Sequence, residues 1–176
     1  IFLSRSRRRK GRNVSGIVVL DKAKGLSSNA ALQEVKRIYG ANKAGHTGSL
    51  DPLATGVLPI CLGEATKVSQ FLLESDKKYR ARIKLGIRTD SADSEGVIIE
   101  RCENFAVNAA DVEKALQSFR GEIEQIPPMH SALKVDGVPL YKLARKGQTV
   151  ARVPRKITVY SIELTEFGAD EIELEI

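Results

Sequence analysis

The sequence predicts an α+β fold, with a mixed, largely antiparallel sheet flanked by helices. Amphipathic stretches with apolar residues at helical spacing stand among several short runs that are continuously apolar or strictly alternating. The two kinds of element do not alternate as βαβ units would require, so a doubly wound parallel sheet is not expected. At 176 residues the chain is long enough for one domain with one buried core.

The first half of the chain predicts two buried strands, each followed by a helix. GIVVLD is a short apolar run rich in β-branched residues, and the serines after the next turn are typical helix caps. Gly40 supplies a helix stop, and the second helix is apolar at Ala65, Val68, Phe71 and Leu72. The expected elements are a strand over 16–21, a turn over 22–25, a helix over 27–40, a glycine-rich loop, a strand over 57–62 and a helix over 64–74.

The second half predicts further strands around one amphipathic helix. Its first strand alternates cleanly, with Tyr79 on the apolar face and a row of four cations on the other. Asn108 is placed to cap the helix, and an Asp-Gly pair predicts a tight hairpin turn. The expected elements are a strand over 78–85, a polar loop over 86–96, a strand over 97–100, a helix over 109–119, a short strand and turn before a helix that Pro139 opens, a strand over 156–167 and its hairpin partner over 171–176.

Positive charge is concentrated in two segments of a chain whose net charge is +6 at pH 7. The first is a basic N-terminal tail, residues 1–13, with six Lys and Arg side chains and no acid. The second, residues 130–156, has seven basic side chains against Asp136 alone, whereas residues 157–176 have only acidic ones. Such segregation favours nucleic acid as a partner over a uniformly solvated surface. A disordered, solubilising tail would explain the first segment alone.

Several function classes are disfavoured by composition. No window reaches the roughly 18 apolar residues of a membrane span, and the basic N-terminus lacks the apolar region of a signal peptide. The two cysteines stand apart without a CxxC pattern, so neither a zinc site nor a disulfide framework is expected. We expect no membrane association, no metal, and a reducing, cytoplasmic setting.

The stretch GHTGSLDPLATGVLP, residues 45–59, concentrates polar side chains immediately before an apolar run. A Ser-His-Asp triad is disfavoured because no GxSxG nucleophile elbow occurs. A metal site would need three or four ligands, and the chain has two histidines with no acid cluster beside them. A phosphate-binding loop is excluded in its usual form because GxxxxGK[ST] is absent.

Two interpretations of Asp51 remain open on residue chemistry. It precedes Pro52, which pushes its backbone toward extended conformations where a polar loop meets a buried strand. A carboxylate half shielded there could act as nucleophile, base or electrostatic stabiliser without a metal. The more ordinary interpretation is that Asp51 caps a turn, as the aspartate of an Asp-Pro pair often does.

Four long stretches of the sequence together form a recognisable pattern: VVLDKAKGLSSNAALQEVKRIYGANKAGHTG, GHTGSLDPLATGVLPICLGEATK, SDKKYRARIKLGIRTDSADSEG and IEQIPPMHSALKVDGVPLYKLARKG. In this order, from about residue 14 to the end, they resemble the TruB family of pseudouridine synthases in its bacterial, tRNA-modifying branch. The chain departs from the family at Ala23, where a proline is usual, so the turn there is less rigid.

The resemblance implies an enzyme that breaks a uridine glycosidic bond within RNA, turns the base and rejoins it through carbon, without cofactor or metal. In the bacterial branch the target is the uridine of the tRNA T loop, conventionally position 55. Asp51 matches the essential aspartate, which attacks the ribose or the base or helps to form a glycal. Tyr79 matches a tyrosine that packs on the target base, and His46 a histidine that holds the flipped nucleotide. Lys22 lies in the DKxxG turn, where a structural or a phosphate-binding role is expected.

Two basic segments are expected to hold RNA. Because of their charge, the strand face containing Arg80, Arg82 and Lys84 and the segment over 134–156 can bind phosphates on either side of the target base. The resemblance implies that the later segment belongs to a mobile insertion, here over about 127–155, that closes over the T-arm stem-loop. The candidate contacts in that insertion are Lys134, Lys142, Arg145 and Lys146.

The catalytic domain of the family, expected here over 14–176, continues beyond residue 176. An arginine that pairs with the catalytic aspartate and a small C-terminal RNA-binding domain belong to that continuation. We therefore expect the isolated chain to be poorly folded or inactive, and a longer parent to be an active, monomeric synthase. Two other functions stay open: a non-catalytic RNA-binding or refolding module, and a nucleosidase that uses Asp51.

Overall fold

A computed structural model describes residues 11–131 and 133–176, which form two compact units. The first unit ends at Lys77, and the second spans Lys78–Ile176. Every strand pair within the described sheets is antiparallel, and helices accompany them in each unit, which confirms the α+β class. Residues 1–10, with most of the predicted basic tail, lie outside the described residues. Arg12 belongs to the fold: it bridges Ala41 and donates to the Tyr39 carbonyl at 2.9 Å.

The first unit is a three-stranded sheet with one long helix against it. The strand order is β1-β3-β2, so the last strand in sequence lies in the middle. The elements are β1 Gly16–Lys22, α1 Ser28–Ile38, β2 Ala44–His46, β3 Gly56–Leu62, a 3₁₀ turn Gly63–Lys67 and α2 Ser69–Leu73.

The core of the first unit lies between α1 and one face of the sheet. Leu32 and Val35 of α1 belong to the same buried cluster as Leu58 and Ile60 of β3. Burial of an aliphatic side chain of this size contributes about 1.5–3 kcal/mol. Leu50, in the loop between β2 and β3, packs against this cluster as well.

The predicted helix over 64–74 is broken into two short pieces at Val68. The Thr66 hydroxyl donates to the Gly63 carbonyl at 2.8 Å, and the Ser69 hydroxyl donates to the Thr66 carbonyl at 2.9 Å. Side-chain hydroxyls that bond to nearby carbonyls compete with the helical ladder. The predicted helix is therefore wrong in its continuity, and Val68 remains 44% exposed.

The second unit contains a three-stranded sheet, three two-stranded pairs and two helices. Its larger sheet has the order β11-β12-β4, and the pairs are β5 with β6, β7 with β10, and β8 with β9. The elements are β4 Arg80–Lys84, β5 Ile87–Thr89, β6 Ile98–Arg101, α3 Ala109–Leu116 with a 3₁₀ turn Gln117–Phe119, β7 Gly121–Gln125, β8 Lys134–Val135, β9 Val138–Pro139, α4 Leu140–Ala144, β10 Arg155–Val159, β11 Glu163–Phe167 and β12 Glu171–Glu175.

Two local predictions in this unit are confirmed. Asn108 caps α3 by accepting from the Asp111 amide at 3.0 Å, and the Asp111 carboxylate accepts from the Asn108 amide in return. Asp136 and Gly137 form the turn between β8 and β9 with φ angles of 50° and 80°. Two consecutive residues with positive φ are what a two-residue hairpin of this kind requires.

The predicted single strand over 156–167 is wrong, because β10 and β11 belong to different sheets. The chain leaves the alternating pattern between them so that Ile162 can enter the core, where it is 6% exposed. The Ile162 carbonyl, lost to the strand ladder, accepts from the Arg120 guanidinium at 2.9 Å. No helix in the described part of the chain is both long enough and apolar enough to span a membrane.

Candidate functional site

The loop that contains Asp51 connects β2 to β3 in the first unit. β2 is a strand where the sequence predicted only a loop, and it sets His46 opposite Ile60. After β2, the Thr47 amide donates to the Pro59 carbonyl at 3.1 Å, and the chain then leaves the sheet. The Asp51 carbonyl accepts from the Ala54 amide at 3.0 Å, so the chain does turn at Asp51 and Pro52, but no described residue donates the capping bond to the Asp51 carboxylate that this interpretation expected.

The Asp51 side chain is exposed, not half shielded as the sequence suggested. Leu53 and Ala54 after it are only partly buried, and full burial in this apolar run begins at Leu58 of β3. No residue in the described ranges donates a hydrogen bond to the carboxylate or forms an ion pair with it. The turn therefore presents an acidic group that a substrate can reach.

The backbone on both sides of Asp51 is anchored to the region where α1 begins. Ser28, at the first position of α1, is 5% exposed. Its hydroxyl accepts from the Leu50 amide at 2.8 Å and donates to the Leu50 carbonyl at 2.9 Å. On the other side, the Gly25 amide donates to the Pro52 carbonyl at 2.7 Å. The acidic side chain is thus carried by a short turn whose neighbouring residues are fixed.

Lys22, at the end of β1, organises the turn that supplies the second anchor. Its side chain is 0% exposed, and its ammonium donates to the Ala23 carbonyl at 3.0 Å and the Leu26 carbonyl at 2.7 Å. A buried ammonium is stabilised only when such acceptors surround it. Of the two roles expected for Lys22, this environment fits the structural one, because the charge faces protein carbonyls rather than solvent.

His46 lies at the end of β2 and is partly buried. Its Nδ1 atom is shielded from solvent and has no hydrogen-bond partner within the described ranges, and the same holds for the Thr47 hydroxyl. Buried polar atoms are nearly always paired in a working state of a protein. The loop that carries Asp51 thus begins beside two buried polar atoms, His46 Nδ1 and the Thr47 hydroxyl, that have no partner among the described residues.

Tyr79 lies next to the first residue of the second unit, Lys78, and it extends the pairing of β4 with β12. Its amide donates to the Ile176 carbonyl at 2.8 Å, and its carbonyl accepts from the Ile176 amide at 2.9 Å. The side chain is 51% exposed, so the ring is not a core aromatic in this unit. Its backbone is fixed while its ring remains accessible for stacking.

The cations of β4 face the acidic side of β12 in a ladder of cross-strand ion pairs. Arg80 lies 3.5 Å from Glu173 and 3.8 Å from Glu175. Hydrogen bonding from Lys78 is the largest influence that holds the pKa of Glu175 below its ordinary value. The pairing of distant strands thus supplies a carboxylate for each cation of this face, which the sequence did not show. The phosphate contacts expected of Arg80, Arg82 and Lys84 stay a prediction. The remaining pairs are Lys78 with Glu175 at 2.6 Å, Arg82 with Glu173 at 3.4 Å and with Glu171 at 3.8 Å, and Lys84 with Asp170.

The insertion over 127–155 carries cations that differ from those of β4 because most of them have no carboxylate partner. Five of them are exposed and form no ion pair with any residue that the structure describes. The guanidinium of one, Arg145, lies 5.5 Å from the ring centre of Tyr141, a cation–π geometry. Arg152 joins the two ends of the insertion, since it donates to the Pro127 carbonyl at 3.1 Å. Four of the five are the candidate RNA contacts Lys134, Lys142, Arg145 and Lys146. The fifth is Arg155, whose guanidinium donates to the Gln125 side chain at 3.0 and 2.7 Å.

The sequence left one residue of this region unrecognised. In the sequence, Ser28 is visible only as one of two serines at the start of a helix, because its hydrogen-bond partner Leu50 lies 22 residues further along the chain.

Within residues 11–131 and 133–176, no three His, Cys, Asp or Glu side chains are grouped so that they could hold a metal ion.

Residues 36–176 match the model of the TruB family pseudouridylate synthase (N terminal domain). Among curated relatives, the chain is 60% identical over 171 residues to a tRNA pseudouridine synthase B of Vibrio campbellii, covering 97% of this chain and 54% of the relative. It is 54% identical over 171 residues to one of Chromohalobacter salexigens, covering 97% of this chain and 56% of the relative. The chain thus spans about half the length of the curated relatives it matches.

Solved structures of related proteins share the fold. The chain resembles a protein in a Cbf5–Nop10–Gar1 complex with a TM-score of 0.67 and 31% identity, over 91% of this chain and 38% of that one. It also resembles a protein in an archaeal box H/ACA sRNP Nop10–Cbf5 complex with a TM-score of 0.60 and 27% identity, over 91% of this chain and 36% of that one. The fold, the aspartate-bearing turn and the family match agree: the chain belongs to the TruB family of pseudouridine synthases.

Proposed function

We propose that the protein containing this chain converts uridine to pseudouridine in the T loop of tRNA, with Asp51 as the catalytic carboxylate. The observation that carries this proposal is a carboxylate on an Asp-Pro turn, exposed, with no described partner, and flanked by anchored backbone. The family match and the named relatives support the reaction class.

The chemistry requires little beyond one carboxylate and a place for the base. Uridine and pseudouridine are isomers, so no atom or electron has to be supplied by a co-reactant. A base in a folded loop must first leave its stack, at a cost of a few kcal/mol. Asp51 then attacks the ribose or the base, or promotes a glycal. His46 and Tyr79, as proposed by resemblance, hold the flipped nucleotide and stack on its base.

RNA contacts in this proposal come mainly from the insertion. Its exposed cations are available to phosphates, whereas the β4 cations already have carboxylate partners. Each phosphate that is neutralised releases counterions, so affinity for a T-arm stem-loop should fall steeply with salt. We also propose that the protein acts as a monomer in the cytoplasm.

The test is pseudouridine formation on a T-arm stem-loop, measured by release of hydrogen from C5 of the target uridine. It is run with this chain and with this chain fused to the remaining length of a relative. Asp51→Asn should abolish the reaction in the active form while leaving RNA affinity within about twofold of the parent, because the substitution is nearly isosteric. Asp76→Asn, at an exposed aspartate of the same unit, is the matched control.

Each other result contradicts part of the proposal. RNA binding without pseudouridine formation by either form would identify a non-catalytic RNA module. Release of free uracil would identify a nucleosidase. An Asp51→Asn protein that turns over like Asp76→Asn would remove Asp51 from the chemistry.

A further inference from the structure

We propose that Ser28 is a positioning residue for Asp51, acting through two hydrogen bonds to the backbone of Leu50. The inference rests on the proposed function, because it matters for catalysis only if Asp51 is the catalytic carboxylate. It concerns a side chain that would not itself touch RNA, since Ser28 is 5% exposed.

The two adjacent serines at the start of α1 have different tasks. Ser27 is the N-cap, and its hydroxyl accepts from the Ala30 amide at 3.1 Å. Ser28 is not needed for capping, and its hydroxyl leaves the helix to reach Leu50. The helix therefore has its cap already, and the second serine serves the loop.

Leu50 needs such a partner because it lies outside the strands on either side of it. A backbone amide and carbonyl that leave a sheet must be paired by water or by another part of the protein. The Ser28 hydroxyl serves both groups of Leu50, since it accepts from the amide at 2.8 Å and donates to the carbonyl at 2.9 Å. One side chain thereby makes the two hydrogen bonds that a residue of a neighbouring strand would make within a sheet.

The position of Leu50 determines that of Asp51 directly. Consecutive Cα atoms across a planar trans peptide are about 3.8 Å apart, so little slack separates the two residues. The Leu50 side chain is held by the core cluster, and the Pro52 carbonyl by the Gly25 amide at 2.7 Å. Ser28 supplies the backbone anchor on the side of Asp51 that would otherwise be fixed by side-chain packing alone.

Ser28→Ala removes this anchor and nothing else from the helix, because alanine is a good helix former. The Asp51 carboxylate should then sample a wider range of positions. A misplacement of about 1 Å in a catalytic group costs on the order of 100-fold in rate. We expect kcat to fall by about 10- to 100-fold and KM for a T-arm stem-loop to change by less than about twofold, because Ser28 is buried away from RNA.

Ser27→Ala is the matched control. It removes one hydroxyl from the same helix end and weakens the cap, but leaves the bonds to Leu50 intact. Both variants and the parent are compared for kcat and KM in whichever form is active, and for hydrogen exchange at the Leu50 amide. Exchange at Val35, within α1, reports whether the whole unit has loosened.

The expected result is a fall in kcat and faster Leu50 exchange in Ser28→Ala only, with Val35 unchanged. Equal kcat values in the two variants, or an unchanged Leu50 amide in Ser28→Ala, would overturn the inference. A parent protein without pseudouridine activity contradicts the proposed function instead. In that case the Leu50 exchange still decides whether Ser28 anchors the loop.

Discussion

Replacement of Lys22 by methionine distinguishes the structural from the phosphate-binding role of this residue. Methionine has a similar length and no charge, so it fills the site without the ammonium. The parent ammonium donates to two carbonyls, of Ala23 at 3.0 Å and of Leu26 at 2.7 Å. An acceptor left without a donor in a buried site costs about 1–3 kcal/mol, so two would cost about 2–6 kcal/mol.

Two effects reduce that figure. Leu26 is 45% exposed, so water can reach part of the turn once the ammonium has gone. The variant also no longer buries a charge, which relieves a desolvation cost. We therefore expect Lys22→Met to lower the free energy of unfolding by about 2 kcal/mol, toward the low end of the sum.

The assay is urea unfolding, with Lys24→Met as the matched control. Lys24 lies in the same turn, but its side chain is exposed, so the same substitution should change stability by less than about 0.5 kcal/mol. RNA binding is measured against salt in parallel. A structural Lys22 leaves the slope of log affinity against log salt unchanged.

The reasoning would be refuted by the opposite pattern. If Lys22→Met is as stable as Lys24→Met and its salt slope is shallower by about 0.7–0.9, then Lys22 contacts a phosphate. The buried position in the structure would then not be the one that binds RNA.

Two further predictions concern charge. Because Lys78 holds the pKa of Glu175 below its ordinary value of 4.5, the ionised Glu175 should stabilise the protein above pH 4.5, and this contribution should be lost as pH falls further. Glu175→Gln should therefore make the loss of stability at acid pH less steep in urea titrations, and an equal loss in variant and parent would contradict the prediction. Lys146→Gln should weaken T-arm binding and make its salt slope shallower by about 0.7–0.9, whereas Arg82→Gln, at a cation already paired on β4, should change the slope by less; equal slopes would contradict this division.

Elements whose signals are local were predictable from the sequence. β1 and β3 are short apolar runs, α1 and α3 combine a hydrophobic period with a cap, and the structure has all four. The turn at Asp136 follows from one dipeptide whose φ angles are both positive. In these cases the information lies within a few residues of the element that it determines.

The strand ladder could not be predicted in the same way. The alternation of charge on β4 is visible in the sequence, but its meaning depends on which strand lies beside it. Arg82 pairs with Glu173, which is 91 residues away along the chain. A row of cations in the sequence favours a phosphate-binding face, because the sequence does not show that a row of carboxylates lies on the neighbouring strand. The exposed cations of the insertion, unlike those of β4, have no carboxylate partner, because no acidic strand lies beside β8, β9 or α4 in the described residues.

The two interpretations of Asp51 that the sequence left open are compatible once the backbone and the side chain are considered separately. The turn uses the Asp51 carbonyl, which accepts from the Ala54 amide at 3.0 Å. If the carboxylate also capped the turn, it would accept from a nearby amide, and no described residue provides that bond. The backbone bond fixes where the residue lies, and the side chain remains unused by the fold. The turn thus leaves the acidic side chain free and fixes the backbone on both sides of it, which is compatible with the catalytic role proposed for Asp51.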